Sequence, residues 1–161
     1  MLIGVLSDTH DDMEMIRRAV DFFNSKKVKL VLHAGDIVSP FTFPEAFINL
    51  VPRFAGVFGN NDGDKVLLTE KSGGRILQQP RTLEEGGKKI VLMHEPALIP
   101  SLVKSGTFDI IIYGHTHRPD VKKENGVLVL NPGKTARLHK GKSTVALMET
   151  DTLEAEIHQL I

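Results

Sequence analysis

Five strand-length runs in this sequence each end in a polar cluster that carries aspartate, asparagine or histidine. That repeated ending constrains the fold more tightly than anything else in the chain. Leu2–Leu6 runs into SDTHDD, Lys29–His33 into AGD, Arg53–Phe58 into GNNDGD, Lys89–Met93 into His94, and Asp109–Tyr113 into GHTH. Short apolar runs of this kind read as buried strands rather than as helices. After the first run, Asp11 and Glu14 stand in a capping-box arrangement. Met13, Ile16, Ala19, Val20 and Phe23 follow at helical spacing and predict an amphipathic helix to about Lys27. After the second, Pro40 and Pro44 punctuate a short helical stretch through Leu50. Strand, loop and helix in repetition predict an α/β domain with a parallel sheet at its centre.

The second half changes character. Thr82–Glu85, Gly86-Gly87 and Lys89–Met93 read as a hairpin, Ala97–Lys104 as a helix and Val127–Leu130 as a further strand before NPG. Val145–Met148 and Leu153–His158 close the chain. In the last of these Leu153, Ala155 and Ile157 alternate with Glu154, Glu156 and His158, which predicts an antiparallel strand with one wet face. A length of 161 residues suits one domain, 1–161, with a sizeable core.

Composition removes several function classes. With 20 basic and 20 acidic side chains the formal net charge is zero, which argues against bulk electrostatic capture of polynucleotide and disfavours a nuclease. The sequence holds no cysteine, so thiol nucleophiles, zinc–thiolate sites and iron–sulfur clusters are excluded. No apolar run approaches the ~20 residues that span a bilayer. The start, MLIGVLSDTH, reaches Asp8 too soon for a signal peptide, and a cytoplasmic setting is expected. GKT at 133–135 and GKS at 141–143 lack the upstream glycine of a phosphate-binding loop, with Leu128 and Ala136 in its place.

In α/β sheets the loops beyond the carboxyl ends of the strands gather into one crevice, where such folds place their sites. The five endings deliver Asp8, His10, Asp36, Asn60, Asn61, Asp62, His94, His115 and His117 to that rim. Asp8 with His10, and His115 with His117, are two apart, which in extended backbone puts both side chains on one face. Carboxylate, imidazole and amide oxygen without sulfur suit divalent Mn²⁺, Fe²⁺, Zn²⁺, Ni²⁺ or Co²⁺. Seven such ligands exceed the needs of one catalytic zinc and suit two ions sharing a carboxylate. The chemistry favoured is hydrolysis of a phosphate ester, with metal-bound hydroxide in line with the leaving group. Of the remaining histidines, His33 is expected to shape the core or support the ligands, while His139 and His158 read as surface residues. Asn131-Pro132-Gly133 follows a strand near the site and could supply backbone contacts there, but a plain turn is the simpler reading.

DTH at 8–10, GD at 35–36, GNND at 59–62, the lone His94 and GHTH at 114–117 together resemble the calcineurin-like metallophosphoesterase superfamily, in its small bacterial and archaeal phosphodiesterase branch. The resemblance implies a four-layer α-β-β-α sandwich, two mixed sheets flanked by helices. It assigns one metal to Asp8, His10, Asp36 and His117, and the other to Asp36, Asn60, His94 and His115, with Asp36 as the bridge. It implies two divalent ions per chain, Mn²⁺ first among them, and a small phosphodiester as substrate; homo-oligomer formation is left open. Asn61 and Asp62 are the candidate catalytic residues beside the ligands. The superfamily's third motif carries a histidine where this chain has Asn61, and that histidine assists the leaving group. Asp62 either orients a ligand or serves as a turn residue before Gly63. The chain also reads HEP at 94–96 where many members continue Gly-His. The alternative function is an interaction scaffold on the same fold with little catalysis. Seven competent residues at the ligand positions favour the enzyme.

Overall fold

Strands buried along their whole length need cover on both faces, and Leu30–His33, Ile110–Ile112 and Val127–Asn131 are of that kind. The computed structural model describes residues 1–138 and 141–161. It places β1 at Leu2–Leu6, β2 at Leu30–His33 and β3 at Arg53–Val57, with α1 at Met13–Lys26 and α2 at Thr42–Ala46 between them. There follow α3 (Lys65–Lys71), β4 (Ile76–Leu77), β5 (Arg81–Glu85), β6 (Lys88–Leu92), α4 (Ile99–Ser105) and β7 (Ile110–Ile112). The chain ends with β8 (Asp120–Glu124), β9 (Val127–Asn131), β10 (Thr144–Glu149) and β11 (Glu154–Gln159). One sheet has the order β11-β10-β1-β2-β3-β4 and the other β5-β6-β7-β9-β8. β1, β2, β3 and β4 run parallel, whereas β10 pairs antiparallel with both β1 and β11, so the sheet is mixed as expected.

Three apolar clusters stack the layers. Ile3, Val5, Leu30 and Leu32 of the first sheet meet Ile90, Leu92, Ile110, Ile112, Leu128 and Leu130 of the second. On the outer face of the first sheet, Leu6 and Val31 pack with Ile16, Val20 and Phe23 of α1, Phe43 of α2 and Leu68 of α3. On the outer face of the second, Val91, Ile111 and Val129 pack with Ile99 and Val103 of α4. Helix, sheet, sheet, helix is the four-layer arrangement that the resemblance implied.

Several local expectations shift. The cap of α1 is Asp12, whose side chain accepts the Met15 N–H at 3.2 Å, one residue after the expected Asp11. Asp11 instead turns away and accepts from Ser39 N at 2.9 Å and from the Thr42 hydroxyl. His158 is not a plain surface residue: its ring lies 5.1 Å from Phe22 and its Nε2 is buried. His139 lies outside the described residues. Among the described residues, no helix is long and apolar enough to cross a membrane.

Gly4 lets α1 lie close on β1. A Cβ added there would stand 2.5 Å from the Phe23 ring, and Phe23 is fully enclosed. Gly4→Ala is therefore expected to destabilise the fold by about 1–3 kcal/mol through overpacking. Urea unfolding measures it, and an unchanged midpoint would mean that α1 shifts freely.

Candidate metal centre

The loops at the carboxyl ends of β1 and β2 interlock through main-chain bonds. Asp8 N donates to Gly35 O at 3.0 Å, His10 N to Asp36 O at 3.1 Å and Asp11 N to Ile37 O at 3.1 Å. To meet in this way the chain turns through left-handed backbone, with φ of 53° at Asp8, 39° at His10 and 61° at Asp36. His115 and His117 do the same at 66° and 59°. The two-apart residues do share a focus, but through left-handed turns rather than the extended backbone that spacing suggested. Each such residue stores about 1–2 kcal/mol of strain, which the surrounding bonds must hold.

Five of the seven expected ligands, Asp8, His10, Asp36, His94 and His117, converge in close contacts around the two carboxylates. Asp8 Oδ1 lies 3.2 Å from His117 Nε2 and 3.9 Å from His10 Nε2. Asp36 Oδ2 lies 3.6 Å from His10 Nε2 and 3.4 Å from His94 Nε2. Asn60 Oδ1 stands 2.9 Å from His94 Nε2 and 2.8 Å from His115 Nδ1, which brings the other two, Asn60 and His115, to the same edge. Among the described residues, Asp8, His10 and His117 form one group of donors able to hold an ion, and Asp8, Asp36 and His94 a second.

The polar chemistry of the centre fits divalent cations. Asp8 Oδ1 and His10 Nε2 are buried and make no hydrogen bond, an unmet demand at the spot where the two groups meet. His94 lies 2.7 Å through Nδ1 from the Ala34 carbonyl, which can only accept, so Nδ1 carries the proton. In the neutral ring this aims the Nε2 lone pair at Asp36 and Asn60, the orientation that a carbonyl behind a metal-binding histidine enforces. Burial works against the charged form of His94, but the adjoining Asp36 carboxylate outweighs it and raises the ring's pKa. Burial likewise opposes ionisation of Asp36, yet a hydrogen bond from the protonated His94 ring and those from Asn61 hold its carboxyl well below the usual carboxylate range.

Neutral groups and main-chain amides frame the cluster. Asn61 is exposed at the rim, where its backbone N–H donates to Asp36 Oδ1 at 2.8 Å and its Nδ2 to Oδ2 at 2.7 Å. Asp62 is buried, and its carboxylate accepts from the backbone N–H groups of Asp36 (3.0 Å), Ile37 (2.8 Å), Val38 (2.7 Å) and Gly59 (2.6 Å). It is thus an organiser of the Asp36 loop rather than a turn residue. A Cβ at Gly59 would overlap the Asp36 carboxylate, and one at Gly114 would overlap Ser7 and Asp8. The sequence did not reveal Asn131, which is fully buried and not part of a plain turn. Its Nδ2 donates to Gly114 O at 2.9 Å and lies 3.1 Å from Thr116 Oγ1, tying down the loop that carries His115 and His117. Lys134 of the rejected GKT piece is buried and donates to Ala136 O at 3.1 Å.

Asp62→Asn replaces one acceptor oxygen by a donor group. Whichever way the amide turns, two of the four N–H groups lose their partner. The expected cost is about 2–4 kcal/mol of stability. Chemical denaturation of the metal-free protein reads it, and a change within error would remove Asp62 from its organising role.

Residues 1–153 match the calcineurin-like phosphoesterase superfamily domain. Phosphodiesterase MJ0936 of Methanocaldococcus jannaschii is 35% identical over 160 residues, covering 96% of each chain. A probable metallophosphoesterase of Methanothermobacter thermautotrophicus is 32% identical over 168 residues, covering 98% of this chain and 91% of its own. Among solved structures, an archaeal phosphodiesterase superposes with a TM-score of 0.91 at 33% identity, over 99% of both chains. Vps29 of Entamoeba histolytica complexed with zinc shares the fold, with a TM-score of 0.71 at 20% identity over 100% of both chains.

Proposed function

Because this chain belongs to the calcineurin-like phosphoesterase superfamily, we propose that it hydrolyses small phosphodiesters with the help of two divalent transition-metal ions. The observation that carries this reading is the focus of buried ligand atoms without a hydrogen bond, Asp8 Oδ1 and His10 Nε2, ringed by the other ligand-type side chains. One ion would be held by Asp8, His10, Asp36 and His117, the other by Asp36, Asn60, His94 and His115. Asp36 is suited to face both, since its Oδ2 lies between His10 and His94. When bound, two such cations supply Lewis acidity: they make a coordinated water acidic and offset the charge on the phosphoryl oxygens.

The chain's own residues contribute placement. Asn61 fixes both carboxylate oxygens of Asp36, Asp62 gathers the amides of the loop beneath it, and Ala34 fixes the tautomer of His94. In the net reaction a water oxygen forms a bond to phosphorus while the bond to one ester oxygen breaks, and the departing oxygen takes up a proton. The donor set is hard to borderline, with Mn²⁺ the expected activator and Fe²⁺, Co²⁺, Ni²⁺ and Zn²⁺ as substitutes. A cytoplasmic setting is part of the same proposal. An interaction scaffold has no chemical use for so complete a donor set.

Metal-stripped protein titrated with Mn²⁺ is expected to saturate near two ions per chain, as read by elemental analysis and calorimetry. Saturation at one ion would end the dinuclear assignment. A panel of phosphomonoesters and phosphodiesters, assayed with each metal in turn, tests the activity. Turnover of none of them would favour the scaffold.

A further inference from the structure

Behind the centre lies a fully buried histidine that does not reach it. His33, at the end of β2, is 0% exposed, with ring centroids 6.2 Å from Phe47 and 6.3 Å from Phe54. The Gly35 backbone N–H donates to its Nδ1 at 3.1 Å, so that nitrogen carries the lone pair. The neutral ring then has its proton on Nε2, which lies 3.0 Å from Thr9 Oγ1. Having accepted from His33, the Thr9 hydroxyl gives its own hydrogen to the Asp36 carbonyl at 3.4 Å. The bonds therefore run one way, from Gly35 through His33 and Thr9 to Asp36. Burial above all drives the His33 pKa down to about 3, which keeps the ring neutral. Thr9, also 0% exposed, sits in the chain between Asp8 and His10.

We propose that His33 and Thr9 are positioning residues, a clasp that sets the spacing between the Asp8–His10 loop and the Asp36 loop and so the fit of the centre for its ions. The proposal rests on the two-ion reading above. A filler of the core needs no nitrogen, yet both ring nitrogens of His33 are partnered, one on each loop's side. The loops are also strained, with left-handed φ at Asp8, His10 and Asp36, and an untied pair could relax apart. Neutrality matters as well. A lysine or arginine in this place would repel the cations, and a carboxylate would compete to ligate them. A neutral donor–acceptor pair holds the loops without altering the charge of the site.

The test is calorimetric titration of metal-stripped protein with Mn²⁺, beside thermal unfolding of the same metal-free samples. Thr9→Val keeps the shape and removes the hydroxyl, and its Mn²⁺ affinity is expected to fall about 10–100-fold. Thr9→Ser restores the hydroxyl and should restore affinity. His33→Phe should lose as much as Thr9→Val, and the double variant no more than either, because one chain of bonds is cut once or twice. Affinity unchanged in Thr9→Val, equal losses in Thr9→Ser and Thr9→Val, or losses that multiply in the double variant would each overturn the clasp. A fall in thermal stability alone would make His33 a core residue and nothing more. If the wild-type protein itself binds no Mn²⁺, the two-ion reading fails first and the clasp fails with it.

Discussion

Asp36→Asn is expected to lower kcat/KM for phosphodiester hydrolysis by about 10³-fold at saturating metal, a larger loss than that caused by His115→Ala. The difference follows from where the two side chains point. Asp36 Oδ2 lies 3.6 Å from His10 Nε2, in one donor group, and 3.4 Å from His94 Nε2, in the other. In the proposed two-ion centre its charge would act between two cations that otherwise repel across a short gap. His115 reaches the centre at one edge, through Nδ1 beside Asn60 Oδ1 at 2.8 Å. An amide in place of the carboxylate also fits poorly. Asn61 already donates to both oxygens of Asp36, so the substituted side chain must set its own N–H₂ against one of those donors. Kinetics on an aryl diester, with metal content determined on the same samples, decide the matter. A loss at Asp36 no greater than at His115 would place the bridge on another residue.

The strand-end motifs were legible because residue type and order survive in sequence. Leu2–Leu6, the hairpin from Arg81 to Leu92 and the antiparallel tail all fall within a residue or two of expectation. What sequence could not supply was backbone conformation. The spacing of Asp8 and His10 is two whether the chain is extended or left-handed, and only the interlock with Gly35 and Asp36 selects the second. β8 was missed because DVKKE is an exposed edge strand with no buried face to impose alternation. β4 is two residues long, and α3 has only Leu68 buried, too little for a periodic stripe. Sequence left Asp62 undecided between orienting a ligand and a turn, and did not fix the role of Asn131, for another reason. Asp62 binds amides 24 and 25 residues away at Val38 and Ile37, and Asn131 a carbonyl 17 away at Gly114. Such partners are a property of the fold and leave no local pattern.

Asn61 carries the remaining prediction, which concerns the leaving group. A histidine at this position could give a proton to the departing oxygen, with an unperturbed pKa of ~6.5 suited to the task. An amide has no proton to give at neutral pH, and this one is further committed, since its Nδ2 donates to Asp36 at 2.7 Å. General acid help is worth about 10²–10⁴-fold and matters most when a basic alkoxide must leave. Aryl diesters, whose phenolates depart unaided, should therefore be hydrolysed well and alkyl monoesters poorly. Asn61→His should raise the alkyl-to-aryl ratio of kcat/KM. The same substitution removes one hydrogen bond from Asp36, and that cost should fall on both substrates alike. The ratio, rather than either rate, is the quantity to read: it cancels the positional damage and keeps the proton. If wild-type rates prove indifferent to leaving-group pKa, or the ratio stays fixed in Asn61→His, the proton comes from elsewhere, and exposed Glu95 beside His94 is the next group to replace.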